Sequence, residues 1–463
     1  MTDLRVTTTR ETSTVLNETT VQAFQGTLRG ELLRSSDARY DSARTVWNGM
    51  IDKRPALIVR CVGVSDVINA VKFARTHDVL VSVRGGGHNI AGNSVCAGGL
   101  MIDLAAMQGI HVDPVRRTAR AQAGVKLGDV DLETQAFALA TTLGTASDTG
   151  IAGLTLGGGY GWLAGKYGMA CDNLLSADMV TASGEFVTAN ETENPELFWG
   201  LRGGGGNFGV VTSFEYRLHE VGPVLGGPIF YPFTKAKDIL RFYNEFAATA
   251  PDELSTVGGF LTTPDGRLSV GIGVCYCGDL STGEKVVQPL RQIATPTFDF
   301  IQPMPYLALQ RSFDELFAPG RHYYWKSSLM RTLSDSATDV IVECASAIPT
   351  PLSVIIMQQL HGAATRVSPT ATAFAHRYHH WNFIPHAGWT DGDGDRNIEW
   401  VREAWRATQP FLEQAAYVND LGDEDVDRVQ AAYGQNYSRL VALKNQYDPT
   451  NFFRLNQNIK PTV

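Results

Sequence analysis

Three glycine-rich loops in the first 210 residues constrain this chain more than any other feature of its sequence. They lie at Arg84–Asn89 (RGGGHN), at 144–168 (GTASDTGIAGLTLGGGYGWLAGKYG) and at Arg202–Gly209 (RGGGGNFG). Glycine makes up 46 of the 463 residues, about a tenth, against roughly 7% in average proteins. Because glycine lacks a Cβ and reaches positive φ, its backbone can approach a phosphate or an aromatic ring closely. Three such loops predict an extended ligand such as a dinucleotide.

The loops do not match the two commonest nucleotide-binding signatures. The nearest approach to the Rossmann G-x-G-x-x-G pattern is Gly157–Gly161, which does not open a βαβ unit with an acidic residue about 20 positions later. No loop ends in the Lys-[Ser/Thr] pair of a P-loop.

Short apolar runs around the loops predict strands, and helical patterns lie between them. A strand at Ala56–Cys61, a helix with Ser65 as its N-cap and a strand at Val79–Val83 predict a βαβ unit with a parallel strand pair. Residues 1–50 are predicted to form a polar arm with one helix. Further along this half we expect a strand at Leu100–Leu104, a helix at Leu127–Leu139 and a strand at Val210–Leu218.

A joint rich in glycine and proline at His219–Pro228 (HEVGPVLGGP) is predicted to separate two domains, because the glycine clusters disappear beyond it. The second half alternates helical and strand patterns, which favours an α+β domain. The predicted elements are helices at Lys235–Ala248, Thr282–Ile293 and Ile398–Thr408, strands at Leu268–Tyr276 and Leu352–Gln358, and a solvated turn at Asp391–Asp395.

Composition and charge narrow the classes of partner. Lys and Arg total 39 against 48 for Asp and Glu, a net charge of -9, which argues against nucleic acid and against anionic membrane surfaces. No apolar run reaches the roughly 18 residues of a spanning helix. The N-terminus lacks the apolar region of a secretory signal, so we expect a cytoplasmic protein. The six cysteines show no metal spacing and are predicted to be reduced thiols, and we expect no metal site.

His88 lies inside the first glycine loop. A lone loop histidine most simply caps a backbone carbonyl, but a nucleophilic or ligating histidine would also use such a setting.

Three longer segments of the chain resemble a known family. RPALIVRCVGVSDVINAVKFARTHDVLVSVRGGGHNIAG and DTGIAGLTLGGGYGWLAGKYGMACDNLLSADMVTASGE resemble the two halves of the FAD-binding domain of vanillyl-alcohol-oxidase-type (PCMH-type) flavoproteins. YGQNYSRLVALKNQYDPTNFFRLNQNI resembles the closing segment of the berberine-bridge-enzyme-like branch. The resemblance covers nearly all of residues 50–218 and 415–463.

The resemblance implies an α+β fold with a two-subdomain PCMH-type FAD-binding domain and an α+β substrate domain containing an antiparallel sheet. The FAD-binding domain would span residues 1–220 and be completed by 415–463, and residues 221–414 would cover the flavin and bind substrate. His88 would bond covalently to the flavin. The other implied flavin contacts are Arg84, Gly85, Gly86, Gly87, Asn89, Thr145, Thr149, Gly150, Gly153, Gly159, Val211, Asn436 and Asn456.

The chain departs from the family pattern at two positions. Many relatives carry a second covalent bond to the flavin from a cysteine, and Ala146 stands at the aligned position, so attachment through His88 alone is expected. Thr149 stands where the branch often has Val or Leu near the path of oxygen, so rapid reaction with oxygen is not inferred from this position.

Oxidation of an alcohol by hydride transfer needs a base for the hydroxyl proton. The closing segment offers Tyr433 and Tyr437 as catalytic candidates, although both could instead pack in the core. In the second domain, His380 and Asn382 share one strand face and Tyr324 and Lys326 share another, so these four are substrate-contact candidates.

The predicted function is an FAD-dependent oxidoreductase that oxidises an alcohol group of a sugar or small natural product, with O2 as the expected acceptor. Two alternatives stay open: a flavin dehydrogenase with another electron acceptor, and a flavoprotein that cyclises a natural product without net redox chemistry.

Overall fold

The computed structural model describes residues 3–392 and 394–463 and has the predicted α+β architecture. Two large apolar cores organise it. The first combines buried side chains of the first 216 residues with others from 373 to the C-terminal end, and the second lies between a nine-stranded sheet and its helices. No helix in the described ranges is long and apolar enough to cross a membrane.

A four-stranded sheet supports the first glycine loop. Its central strand Leu100–Asp103 pairs in parallel with Leu57–Arg60 on one side and with Val81–Arg84 on the other, and Glu31–Leu33 forms an antiparallel edge. The two predicted strands do run parallel in one sheet. They are not paired with each other as predicted, because Leu100–Asp103 lies between them. Arg84 ends its strand and places the glycine loop at the carboxyl edge of the sheet.

The helix between these strands begins earlier than predicted. It spans Val64–Thr76 with Gly63 as N-cap, so the prediction of Ser65 as the cap is wrong. The buried carboxylate of Asp66 instead accepts backbone N–H groups of Arg29, Gly30 and Val62, which fixes the start of the helix from outside.

A five-stranded antiparallel sheet carries the third glycine loop, which leads directly into the strand Gly209–Arg217. The strand order is Phe186–Asn190, Leu174–Thr181, Gly209–Arg217, Thr118–Gln122 and Ile110–Asp113.

A nine-stranded antiparallel sheet, which we call the roof sheet, forms the centre of the second half. Its strands along the main path are Phe298–Asp299, Val224–Pro232, Leu268–Tyr276, Leu254–Thr262, Val354–Leu360, His380–Trp389 and His322–Trp325, and Gln302–Met304 and Ser328–Met330 pair at its sides. The strand Val224–Pro232 begins inside the predicted joint His219–Pro228, so much of that joint is sheet rather than loop.

Helices cover the outer face of the roof sheet and connect the strands elsewhere. The α-helices are Glu18–Gln25, Tyr40–Arg44, Val64–Thr76, Leu127–Gln135, Ile151–Leu156, Ala164–Tyr167, Pro195–Leu201, Ala236–Ala248, Leu280–Gln292, Tyr306–Gln310, Asp335–Ser346, Ala363–Arg366, Gly394–Thr408, Val429–Tyr433 and Tyr437–Tyr447. The predicted turn Asp391–Asp395 includes Asp393, which lies outside the described residues.

The N-terminal 50 residues contain more structure than the predicted arm with one helix. Strands Leu4–Thr7 and Ser13–Leu16 pair as a hairpin, and two helices and the edge strand Glu31–Leu33 follow. The reason is packing: Val6, Leu16, Val21 and Phe24 join the first core although polar residues surround them in sequence.

Candidate functional site

A cavity of about 460 Å³ lies between the glycine loops and the roof sheet. All three loops contribute to its wall, and the C-terminal segment closes one end. Of the predicted flavin contacts, the residues on this wall are Gly85, Gly86, Gly87, His88, Asn89, Thr145, Thr149, Gly150, Gly153, Val211 and Asn456. The structure thus brings residues far apart in sequence to one surface.

The loops can reach this surface because they are glycine. A Cβ on Gly86 would lie 2.4 Å from the backbone of Gly150, so the first and second loops pack main chain against main chain. Gly87 has a φ of +74° and Gly205 a φ of +73°, in the region that side chains disfavour.

The walls fit a ligand with several polar groups. A Cβ added to Gly153 or Gly206 would meet no atom within 4 Å, so both backbones face open space in the cavity. Beside the cavity, His88 Nε2, Ser94 Oγ and Asn456 Oδ1 are buried without a hydrogen-bond partner among the residues that the structure describes. Buried polar atoms are normally paired, so these atoms are suited to a bound group.

Aromatic stacking fixes the ring of His88. The imidazole stacks on Trp47 with ring centroids 4.1 Å apart, and Tyr323 stacks on the other side of Trp47 at 4.0 Å. Nε2 of His88 lies 3.5 Å from a carboxylate oxygen of Asp148, too far for a well-formed hydrogen bond. The side chain is thus held in place while a ring nitrogen stays available.

Arg84 supports the loop rather than the cavity wall. Its guanidinium donates to both carboxylate oxygens of the fully buried Asp103, at 3.0 and 2.7 Å, and to the backbone carbonyls of Ala43 and Thr45. This pairing anchors the strand from which the first glycine loop starts.

Gly159 and Asn436 also lie away from the described lining of the cavity. A Cβ on Gly159 would lie 2.4 Å from Cβ of Ala170, so this glycine allows two segments to pack. The amide of Asn436 donates to the carbonyls of Pro369, Thr372 and Ala373, which ties the closing segment to the loop beneath the roof sheet.

The inner face of the roof sheet is almost entirely apolar. Side chains alternate along each strand, so one face packs on the helices and the other meets the cavity. The apolar side chains at the cavity include Pro228, Phe230, Val257, Leu261, Ile356 and Ile384, with Phe313 and Phe317 from a neighbouring loop. The polar contributions from these strands are Gln358 and His386.

The two catalytic candidates occupy different environments. The Tyr433 hydroxyl donates to the carbonyls of Gly204 and Gln457, at 3.1 and 3.2 Å, and accepts from the amide of Asn207. Burial raises the pKa of Tyr433 well above its usual range. Tyr437 packs against the first core and is not among the described lining residues. Tyr433, in contrast, lies on the cavity wall, with its hydroxyl bonded to main-chain carbonyls.

The four substrate candidates lie outside the described lining of the cavity. His380 and Asn382 do point to the cavity side of the roof sheet: His380 Nε2 bonds the hydroxyl of Tyr160, and Asn382 bonds Asp420. The cavity itself begins further along the same strand face, at Ile384 and His386.

Tyr324 and Lys326 face away from the cavity. The Tyr324 hydroxyl donates to Glu424, and Lys326 pairs with the buried Asp425 at 3.2 Å, so both tie the roof sheet to the closing segment. The opposite face of this strand carries Trp325, which does reach the cavity.

Sequence reasoning missed Asp420, Trp325 and His386, which all line the cavity. Burial raises the pKa of Asp420 to about 6, although the hydrogen bond from Asn382 acts in the opposite direction. Burial lowers the pKa of His386 to about 3, so its imidazole is neutral at physiological pH. No local signal distinguishes Asp420, because it is one of several acidic residues in the segment NDLGDEDVD.

Comparisons with known proteins agree with this architecture. Residues 55–190 match the family model described as "FAD binding domain", and residues 416–460 match "Berberine and berberine like". An FAD-linked oxidoreductase of Dictyostelium discoideum is 31% identical over 448 residues, which cover 95% of this chain and 97% of that protein.

Solved structures give the same result. A 6-hydroxy-D-nicotine oxidase from Arthrobacter nicotinovorans superposes with a TM-score of 0.87 at 29% identity, covering 94% of this chain and 98% of its own. A xylooligosaccharide oxidase from Myceliophthora thermophila, in complex with xylobiose, superposes with a TM-score of 0.85 at 25% identity, covering 96% and 99%.

Proposed function

The chain belongs to the berberine-bridge-enzyme-like family of FAD-linked oxidoreductases, and from this premise we propose that it oxidises a hydroxyl group of a small, largely apolar natural product. In this proposal FAD is bound covalently through His88 alone, and O2 is the electron acceptor. The observation that carries the substrate class is the apolar inner face of the roof sheet.

The residues that would hold FAD are those of the three glycine loops on the cavity wall. His88 would supply the covalent bond, because Trp47 fixes its ring and Ala146 offers no second attachment. When bound, FAD supplies a two-electron acceptor for the substrate carbon. The backbone of Gly85–Gly87 and of Gly150 would contact it without interfering side chains.

The substrate would lie between the glycine loops and the roof sheet. Phe230, Phe313 and Phe317 offer ring surfaces there, while Gly271 and Gly273 leave room on the sheet. A sugar exposes a hydroxyl at nearly every carbon, and each buried hydroxyl without a partner costs about 1–3 kcal/mol. An apolar ring system with one or two hydroxyl groups suits this wall better than the oligosaccharide of the xylooligosaccharide oxidase.

The test is an anaerobic screen for bleaching of the flavin absorbance. The panel contains aromatic and polyketide-like alcohols, 6-hydroxynicotine and xylobiose. We expect bleaching by an aromatic or polyketide-like alcohol and none by xylobiose. Bleaching by xylobiose alone would contradict the substrate class.

Admitting air to the bleached enzyme tests the acceptor. Return of the flavin colour with peroxide formation and oxygen consumption above the blank is the result expected of an oxidase. Oxygen consumption no greater than the blank would indicate a dehydrogenase with another acceptor. A compound that is converted without any bleaching would indicate the non-redox alternative.

A further inference from the structure

Among the described residues that line the cavity, Asp420 is the one acidic side chain. It ends the short 3-10 helix Val418–Asp420 in the segment that closes the cavity. The residue is partly accessible, yet protein surrounds its carboxyl group. Its accessible surface faces the internal cavity, where Asp420 is one of the lining residues.

Hydrogen bonds hold the carboxylate of Asp420 in a fixed position. The amide of Asn382 donates to Oδ2 at 2.7 Å, and the hydroxyl of Ser327 donates to Oδ1 of Asn382 at 2.9 Å, which fixes the orientation of that amide. A carboxylate has about four acceptor positions. Asp420 therefore keeps capacity to accept a hydrogen bond from a ligand in the cavity.

Trp325 places Asp420 on the same wall as the predicted flavin anchor. The indole N–H donates to the backbone carbonyl of Asp420 at 3.0 Å, and the indole ring stacks on His386 with centroids 5.1 Å apart. On its other side Trp325 lies 6.0 Å from Trp47, which stacks on His88. The acid and His88 are thus linked by one group of touching rings.

We propose that Asp420 is the catalytic base of the oxidation and that Asn382 is its positioning residue. The inference rests on the proposed function. In the step, the C–H and O–H bonds of the substrate alcohol break and a C=O bond forms. The hydride, with two electrons, passes to FAD, and the hydroxyl proton passes to the carboxylate of Asp420, so atoms and charge balance.

The environment suits a base at neutral pH. With a pKa raised to about 6 by burial, Asp420 is mostly ionised at pH 7 and binds a proton more strongly than an ordinary carboxylate. The titratable groups around it do not oppose this. Burial and the charge of Asp420 raise the pKa of Tyr160 and of Tyr417, so both stay neutral, and His386 is neutral because burial lowers its pKa.

The first test measures anaerobic flavin reduction by stopped flow, with the compound that bleaches the wild-type flavin fastest in the screen. Asp420→Asn should keep the flavin and slow reduction by about 10²–10⁴-fold, the usual loss for a general base. Asp427→Asn is the matched control, because it removes an exposed carboxylate from the same segment. Tyr433→Phe tests the alternative base and should stay within about threefold of wild type, well short of that loss.

The pH profile separates a base from a structural acid. In the wild type, reduction should rise with pH through a limb near pH 6, and this limb should be absent in Asp420→Asn. Asn382→Ala should move the limb to higher pH, because it removes a hydrogen bond that lowers the pKa of Asp420. A limb that stays in Asp420→Asn, or a loss of rate below about tenfold, would overturn the proposal while leaving the proposed function intact.

A probe that needs no turnover tests the role of Asp420 separately from the proposed function. The absorbance of 4-nitrophenol reports its own ionisation when it binds to the flavin-loaded protein. The carboxylate of Asp420 should raise the pKa of the bound phenol, and Asp420→Asn should abolish that shift. If no compound bleaches the wild-type flavin, the proposed function fails. An equal phenol pKa in both proteins would then overturn the role of Asp420 independently.

Discussion

Asp131 is a buried carboxyl group whose retained proton should make the stability of this fold depend on pH. It lies in the helix Leu127–Gln135, is fully buried, and neither carboxylate oxygen has a hydrogen-bond partner within residues 3–392 and 394–463. Burial raises its pKa to about 8, although the positive charge of Arg311 acts in the opposite direction. The carboxyl group is therefore protonated in the folded protein at neutral pH.

The sign of the pH effect follows from this shift. The folded pKa lies above the ordinary value of 3.8, so the stability that the proton provides is fully present below about pH 4. It is lost as pH rises towards 8, because the unfolded chain releases the proton while the folded chain retains it. One proton corresponds to about 1.4 kcal/mol per pH unit, so the loss from pH 5 to pH 7 is about 3 kcal/mol.

Asp131→Asn tests this by replacing the carboxyl with a neutral group of the same shape. Urea unfolding of the flavin-loaded protein at pH 5, 6 and 7 gives the free energy of unfolding, and other titrating groups cancel in the difference between variant and wild type. The variant should gain about 3 kcal/mol relative to wild type over this range.

Glu133→Gln is the control, because it removes an exposed carboxylate from the same helix. A difference between Asp131→Asn and wild type that stays constant within about 0.5 kcal/mol from pH 5 to pH 7, the scatter of surface substitutions, would refute the reasoning.

Three further predictions test the cofactor site and the fold. His88→Ala should release the flavin, so flavin fluorescence should leave the chain on denaturing gels, and a cysteinyl adduct would contradict attachment through His88 alone. Gly86→Ala should lower the ratio of flavin to protein absorbance, because the new Cβ would lie 2.4 Å from the backbone of Gly150; full flavin content would show that the loops can separate. Arg377→Met should reduce the free energy of unfolding by about 3–5 kcal/mol in urea titrations, because it leaves the carboxylate of Asp172, bonded at 2.6 and 2.7 Å, without its buried partner; an unchanged midpoint would contradict that cost.

Local sequence patterns predicted the bounds of some strands and helices well, because those bounds depend on neighbouring residues. The strand Leu268–Tyr276 has the predicted bounds, and the predicted helix Thr282–Ile293 is displaced by two residues or fewer at Leu280–Gln292. Pairing was harder to predict, because it depends on distant sequence. Nothing in the segment 56–83 shows that Leu100–Asp103 inserts between its two strands.

In the candidate site, too, features set by local sequence were predictable and features set by distant pairing were not. The glycine loops on the cavity wall could be predicted because a cluster of glycines indicates a backbone that must approach a ligand closely. The strand His322–Trp325 shows what alternation alone leaves open: it groups Tyr324 with Lys326 but does not say whether that face or the face of Trp325 meets the cavity. Only the pairing of this strand with His380–Trp389 decides the question.

Asp420 shows why the chemistry of the site depends on tertiary structure. In sequence it is one acidic residue among several in the segment NDLGDEDVD, and nothing in that segment sets it apart from the others. In the fold, Asp423 and Asp427 are exposed and Asp425 pairs with Lys326, whereas Asp420 faces the cavity with Asn382 as its hydrogen-bond donor. A neutral donor orients a carboxylate without the strong pKa depression of a cation. This choice of partner leaves Asp420 basic enough to accept a proton, and the partner comes from a strand about 40 residues away.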